Sequence, residues 1–404
     1  MSIRDIIFLV KFMRIIFHVD VNNAFLSWTA VYLLNHGYEE DIRTIPSAIG
    51  GDEEKRHGII LAKSPVAKKY GVVTAETLYM ARKKCPDIKI FPPNYEYYIE
   101  MSRKFYNYLK EYTPVIEQAS IDECFLDLTG TSYLYDDILK LAYKIKNEIK
   151  EKFGFTVNVG IANNKLCAKM ASDFTKPDKV HTLFDYEIKD KMWPLPIKDL
   201  LFVGKSSAAF LESININTIG DLANANPTIL KKYFKNRVDD LIKSANGIDN
   251  SRVETDYGFN KCISISRTLE KDTSDTKKLK KILLDMSDQV GLRARRYKLF
   301  AKNIAITFKT SSFKSYSHSM TLTNSINNTL DIYNNILILF EKIKTSEKIR
   351  SIGIRLGELD IKNMEQVSLF SKKNDDNIQD LLDNINSKYK NSVVMPAIFY
   401  EKEK

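Results

Sequence analysis

Two places in the sequence set carboxylates where an apolar strand ends or breaks. Asp20 closes the run Ile15-Ile16-Phe17-His18-Val19, and Asp122-Glu123 lies between Ile121 and the apolar Cys124-Phe125-Leu126. Burying a carboxylate is costly unless a cation or a metal compensates it. Three hard oxygen donors on neighbouring strands could hold two Mg²⁺ ions, with substrate phosphates completing the octahedra. Two metals a few Å apart would activate an attacking hydroxyl and stabilise a leaving phosphate. Taken singly, each acidic site reads more simply as a strand end facing water. The pair in its context does not.

The elements that would position these groups follow from the hydrophobic pattern. Between residues 14 and 186, short β-rich runs alternate with amphipathic helices. Residues 15–19, 119–128 and 155–161 read as strands, the first of them apolar enough to be buried on both faces. Residues 135–152 carry Ile138, Leu141, Ala142, Ile145 and Ile149 along one helical face. Residues 194–249 change character to short helices with glycine-centred turns at Phe202-Val203-Gly204 and Ile219-Gly220. Residues 200–211 followed by 214–222 fit a helix-hairpin-helix, which offers backbone N–H groups to a phosphate; a plain helical hairpin is the alternative. Residues 250–260 are polar and aperiodic, a plausible linker. Residues 261–360 then spell β-α-β-β-α-β, a split module with helices on one sheet face and the other face open. Lys309 points opposite Phe308, and Arg355 opposite Ile354 and Leu356, which puts both on the open face. Residues 361–404 form a polar tail with a helical stretch near 378–389.

Composition bounds these readings. The chain has 404 residues, 44% of them hydrophobic and 28% charged, which fits a folded protein of two to four domains. No apolar run approaches the ~18–20 residues of a membrane helix. The net charge of +10 is concentrated: residues 261–360 hold 19 Lys/Arg against 10 Asp/Glu, leaving 42 and 41 elsewhere. Such a block suggests a polyanion partner as readily as a solvated basic surface. Cys85, Cys124, Cys167 and Cys262 form no CxxC pair and read as reduced core residues of a cytoplasmic protein. Residues 1–12 read as a short extension before Met13, so Met1 and Met13 are both possible starts.

The acidic sites sit in longer motifs. These are Asp20-Val21-Asn22-Asn23-Ala24-Phe25, then Ser120-Ile121-Asp122-Glu123. Val159-Gly160-Ile161-Ala162-Asn163-Asn164-Lys165-Leu166-Cys167-Ala168-Lys169 follows, and then Lys176-Pro177. In this combination the chain resembles the Y-family (translesion) DNA polymerases of the bacterial DNA polymerase IV type, over residues 14–370. The resemblance implies an α+β multidomain right-hand fold with palm, fingers, helical thumb and little finger. Its divisions would be a palm at 13–23 and 94–186, fingers at 24–93, a helix-hairpin-helix thumb at 187–249 and a little finger at 261–360. It implies that Asp20, Asp122, Glu123 and the Val21 carbonyl hold two Mg²⁺, and that Phe25 is a steric gate against a ribose 2′-hydroxyl. Lys176 matches a triphosphate contact. Lys68 stands for the family's arginine and Pro65 for its tyrosine, so a point charge replaces a bidentate fork. Ala24 replaces a commonly aromatic residue. Low fidelity and damage bypass would follow.

The thumb and little finger carry further candidate contacts. Gly204 keeps the first hairpin turn, while Phe234-Lys235-Asn236-Arg237 lacks the usual glycine of the second. Arg293, Arg295, Arg296 and Lys298 cluster at a helix end, where they suit DNA phosphates or the helix dipole equally. Gln366-Val367-Ser368-Leu369-Phe370 resembles the sliding-clamp peptide, with Gln366, Leu369 and Phe370 as its anchors. The expected partners are therefore primer-template DNA, dNTPs and a clamp, for a monomer in the cytoplasm with no membrane association. Two rival readings exist. Gly50-Gly51-Asp52-Glu53 resembles the GGDEF signature of diguanylate cyclases, although a charged stretch follows it and a solvated turn explains it more simply. A non-catalytic DNA-binding protein is the other, and Asp20, Phe25, Asp122, Glu123 and Lys176 together argue against it.

Overall fold

The computed structural model describes residues 14–52, 58–255, 261–361 and 376–388. The described residues fall into two compact units, the first ending at residue 255 and the second beginning at residue 261.

The first unit is built on a five-stranded sheet in the order β5-β6-β1-β7-β8. Its strands are β1 (Ile16–Val21), β5 (Ile116–Gln118), β6 (Glu123–Asp127), β7 (Val157–Ala162) and β8 (Val180–Leu183). A second sheet, ordered β3-β2-β4, contains β2 (Ser47–Gly50), β3 (Ile60–Lys63) and β4 (Lys89–Phe91). Around them lie α1 (Ala24–Asn35), α2 (Pro65–Lys69), α3 (Leu78–Lys84), α4 (Tyr95–Lys110), α5 (Ile138–Phe153) and α6 (Lys165–Asp173). Four short helices complete the unit: α7 (Lys205–Ser213), α8 (Ile219–Ala223), α9 (Pro227–Phe234) and α10 (Val238–Ala245).

β1 is wholly buried, as its apolar run predicts, because both faces of the sheet are covered. Side chains alternate along it. Phe17, Val19 and Val21 enter a core with Phe105 and Leu109 of α4 and Ile145 and Ile149 of α5. Ile16 enters a different core with Cys167, Ala168 and Ala171 of α6. Asp20 therefore shares the α6 side with Ile16 and His18. Helix α5 realises the expected stripe, buried at Leu141, Ala142, Ile145 and Ile149. The Asp137 carboxylate caps its start by accepting the Leu139 and Lys140 N–H groups, and Gly154 ends it at φ 74°.

One expectation needs correcting. Residues 119–128 are not a single strand: 119–122 form the turn of a hairpin and the strand β6 begins only at Glu123, with β5 and β6 pairing antiparallel and the Ala119 and Ser120 N–H groups both donating to the Glu123 carbonyl. The acidic pair thus sits at a hairpin tip and the first residue of β6.

The second unit follows the β-α-β-β-α-β order. Its strands β9 (Cys262–Thr273), β10 (Phe300–Thr310), β11 (Ser315–Ile326) and β12 (Ile349–Asp360) pair antiparallel as β11-β10-β12-β9. Helices α11 (Thr276–Arg296) and α12 (Thr329–Phe340) cover one face, where Leu283, Val290 and Ile336 meet Ile304, Ile306 and Ile354. On the other face Ser264, Ser266, Thr307 and Arg355 are exposed. Cys262 is also exposed, unlike the other three cysteines, because it begins the edge strand β9 in phase with Ser264 and Ser266. A last helix, α13, spans Asp376–Lys388. Among the described residues no helix is long and apolar enough to cross a membrane.

Candidate active site

The site forms where the central strand β1 ends. Across β6 the register sets Asp20 beside Glu123, and across β7 it sets Asp20 beside Asn158. The hairpin tip is fastened to the same spot, since the Val21 N–H donates to the Asp122 carbonyl at 3.0 Å. Ser120 Oγ donates to Asp122 Oδ1 at 2.6 Å and steadies the carboxylate. Asp20, Asp122, Glu123 and the Val21 backbone are thereby brought to the same end of the sheet from sequence positions a hundred residues apart.

Ammonium groups compensate two of these charges. Lys176 Nζ lies 2.6 Å from Asp20 Oδ2 and 2.8 Å from Asp173 Oδ1. Lys169 Nζ lies 2.7 Å from Glu123 Oε1. Burial pushes the Asp20 carboxyl above its ordinary range, against the downward pull of Lys176. Glu123 is drawn down to about 2, first by His18 and then, against burial, by Lys169. His18 Nε2 stands 3.8 Å from Glu123 Oε2. Its Nδ1 is shared with Ser172 Oγ at 2.8 Å, which ties β1 to α6.

The donor set suits a hard divalent cation: three carboxylates and a carbonyl, with Asp20 and Glu123 repelling each other across adjacent strands. Among the described residues no three acidic, histidine or cysteine side chains converge as a ready-made metal cluster. The arrangement is instead the lysine-compensated one, with ammonium groups supplying positive charge that a divalent ion would also supply.

The loop that carries Lys176 is braced on several sides. Asn158 Nδ2 donates to the Ser172 and Thr175 carbonyls at 2.9 and 2.7 Å, and its Oδ1 accepts the Lys179 N–H at 3.2 Å. Asn22 Oδ1 accepts the Asp178 N–H at 2.9 Å, and Asn22 Nδ2 donates to Asn158 Oδ1 at 3.1 Å. The Asp178 carboxylate receives Lys146 at 2.7 Å and Lys150 at 3.0 Å, both from α5. A loop so held keeps its lysine over Asp20 with little freedom to lose.

Phe25 lies in the first turn of α1, half-buried, stacked on Tyr98 with ring centroids 5.0 Å apart and edge-on to Trp28 at 6.4 Å. Tyr98 and Trp28 are fully buried, and the Tyr98 hydroxyl is fixed to Thr29 Oγ1 at 2.7 Å. The Phe25 ring therefore rests on a rigid floor. Lys68 is exposed on α2. Pro65 finds its reason here: it is the first residue of that helix, after the Ser64 cap, where no N–H is needed. Lys63, on β3, donates to Thr74 Oγ1 at 3.1 Å, and burial followed by the charge of Lys68 holds its pKa down. The Asn23 amide donates to the Lys63 carbonyl at 2.8 Å, joining the second sheet to the end of β1.

Of the DNA-contact candidates, Gly204 caps α7 at an open position, where an added Cβ would meet nothing within 4 Å. Arg293, Arg296 and Arg355 are exposed, and Lys309 is half-buried. Arg295 departs from the expectation. Its guanidinium is folded inward, bidentate to Asp383 of α13 at 2.6 and 3.1 Å, with a third bond to the Asn327 carbonyl at 2.7 Å. It is committed to the fold and leaves the set. Gln366, Leu369 and Phe370 lie outside the described residues, as does Glu53 of the GGDE stretch. Of the other residues around the site, Lys169 stands in a sequence motif without an assigned role, while Asn158 and Lys146 lie outside the motifs. The one available signal was polarity at Asn158, inside an otherwise apolar strand.

A five-stranded sheet with acidic strand ends beside a stacked aromatic, joined to helical hairpins and a separate βαββαβ unit, defines a right-hand nucleic-acid polymerase. Comparison with known proteins agrees. The sequence pattern of the impB/mucB/samB family matches residues 19–173, and that of its C-terminal domain matches residues 260–369. The DNA polymerase IV of Clostridium acetobutylicum is 46% identical over 393 residues, covering 96% of this chain and 99% of that protein. DNA polymerase IV 1 of Bacillus subtilis is 32% identical over 397 residues, covering 96% of this chain and 94% of its own. Among solved structures, a Y-family DNA polymerase chimera superposes with a TM-score of 0.73 at 24% identity, over 86% of this chain and all of its own. The chain belongs to the impB/mucB/samB family, as a Y-family DNA polymerase of the DNA polymerase IV type.

Proposed function

We propose that this chain performs template-directed DNA synthesis of the translesion class, with low fidelity and bypass of damaged template bases. The primer 3′-hydroxyl attacks the α-phosphorus of a dNTP, the bond to the β-phosphate breaks, and pyrophosphate leaves. The observation that carries the reading is the pairing of Asp20 with Glu123 across β1 and β6, with Asp122 fastened beside Val21. These four residues would hold two Mg²⁺. When bound, the ions supply Lewis-acid stabilisation of the attacking and leaving oxygens. Lys176 sits beside Asp20 and is placed to meet a triphosphate, with Lys68 adding charge from the fingers.

The division of labour follows the sequence. Residues 13–23 and 94–186 serve as palm, 24–93 as fingers, 187–249 as thumb, and 261–360 as little finger. Gly204, Arg293, Arg296, Lys309 and Arg355 contact DNA. The protein acts as a cytoplasmic monomer and is tethered to a sliding clamp through Gln366, Leu369 and Phe370. Deleting residues 366–370 should abolish clamp stimulation of synthesis while leaving clamp-free extension unchanged. Retained stimulation would exclude the tether.

The gate supplies the sharper test of the chemistry. With Tyr98 beneath it, the Phe25 ring cannot retreat from a 2′-hydroxyl. Phe25→Ala should therefore weaken discrimination against ribonucleotides by roughly a hundredfold in kcat/KM during primer extension. Unchanged sugar selectivity would remove Phe25 from the site.

A further inference from the structure

One aromatic residue is placed where folding alone gives no reason for it. The Val203 N–H donates to the Leu200 carbonyl at 3.0 Å, closing a four-residue turn ahead of α7. Phe202 is the third residue of that turn and has φ 71°. A positive φ at this position is the type II pattern, which strongly favours glycine because a Cβ is strained there. The Phe202 side chain is also 70% exposed. Its neighbours explain themselves: Leu200, Val203 and Ile197 are buried in the core shared with α6, and Leu201 packs against it. Phe202 combines a strained backbone with an unburied ring; Phe313, at φ 65° and also exposed, does the same, but its ring is covered by the Arg350 guanidinium at 4.7 Å. Lys235, at φ 51° in the second hairpin turn, is strained likewise but has a side chain that water welcomes.

We propose that Phe202 is a DNA-contacting residue whose ring packs against the apolar sugar and base faces of the primer-template duplex. The inference rests on the reading of this hairpin as facing DNA, and it adds an apolar contact to the amide contacts which that reading supplies. The surroundings favour DNA over a protein partner. In sequence Phe202 lies between the exposed Lys198 and Lys205 and two residues before Gly204, where an added Cβ would meet nothing within 4 Å. Phe210 of α7 and Tyr233 of α9 are stacked on each other at 3.8 Å. A lone ring flanked by lysines is poor material for a protein interface, which needs a contiguous apolar patch. It suits a polyanion with apolar faces between its phosphates, where aromatic stacking and wedging both add affinity.

The signature is opposite in sign for stability and binding. Phe202→Gly should raise the melting temperature by about 2 °C, through release of the strained φ. The same change should weaken primer-template affinity about tenfold, measured by fluorescence anisotropy. Phe202→Ala should weaken binding equally without the thermal gain, and Phe202→Tyr should restore it. Because no phosphate contact is lost, the slope of log Kd against log salt should stay at the wild-type value. Gly204→Asp separates the two readings, since its side chain meets only open space in the protein. If Gly204→Asp weakens binding and both Phe202→Ala and Phe202→Gly do not, the ring has no DNA role and the proposal fails. If Gly204→Asp has no effect, the hairpin does not face DNA and the underlying reading falls first. A change in sedimenting mass for Phe202→Ala, with DNA affinity intact, would assign the ring to a protein interface and also overturn the proposal.

Discussion

Asp122→Ala should abolish primer extension, lowering the single-turnover rate by on the order of a thousandfold or more while the fold stays intact. A thousandfold loss corresponds to about 4 kcal/mol of transition-state stabilisation. The contacts explain why chemistry and stability separate here. The Asp122 side chain is only half-buried, and its hydrogen-bond partner is the Ser120 hydroxyl, which can turn to solvent. The link to β1 runs through the Asp122 backbone carbonyl and survives truncation. Neither ammonium group loses its carboxylate, because Lys176 pairs with Asp20 and Lys169 with Glu123. Truncating Asp20 would be less informative, since it removes a buried partner of Lys176 as well. The measurement is dNTP incorporation with Mg²⁺ beside a thermal melt and a primer-template binding curve. Persistent extension by the variant would remove Asp122 from the catalytic set, and a lowered melting temperature would make the loss uninterpretable as chemistry.

What was legible in the chain, and what was not, follows from the range of the interactions. Strand β1 announced itself because a run buried on both faces is apolar, His18 apart, until Asp20. The order of the second unit was legible for a similar reason, its alternating strands and stripe-bearing helices being local patterns. The hairpin at residues 119–122 was hidden. Its turn has neither glycine nor proline, and the hydrogen bond from Ser120 to Asp122 does the work those residues usually do. Arg295 was misread because a basic cluster at a helix end looks the same whether or not a distant helix offers it Asp383. Lys146 offered no hint either: on α5 it reads as one more charged residue of an amphipathic helix, and only the loop at Asp178 makes its burial sensible. Contacts that span a hundred residues leave no periodicity behind.

Gly160 is the exception that joins both kinds of information, and it carries the second large prediction. It lies in β7 opposite His18 of β1 and His181 of β8, in the middle of the sheet. A Cβ added there would stand 1.9 Å from the Ala168 carbonyl oxygen and 2.5 Å from the Ser172 nitrogen. Both are backbone atoms of α6, so no rotamer change relieves the clash, and the helix itself must move off the strand. Overpacking ordinarily costs about 1–3 kcal/mol, and a backbone obstruction belongs at or beyond the upper end. Gly160→Ala should therefore lower the melting temperature by roughly 6–12 °C or leave the protein largely insoluble. The consequences reach the site, because α6 delivers Lys169 to Glu123 and Ser172 to His18. Whatever folded Gly160→Ala protein is recovered should extend primers more slowly than wild type at a temperature where both are folded. An unchanged melt would mean that α6 stands further from β7, and the ion pair and hydrogen bond that depend on that approach could not both be kept.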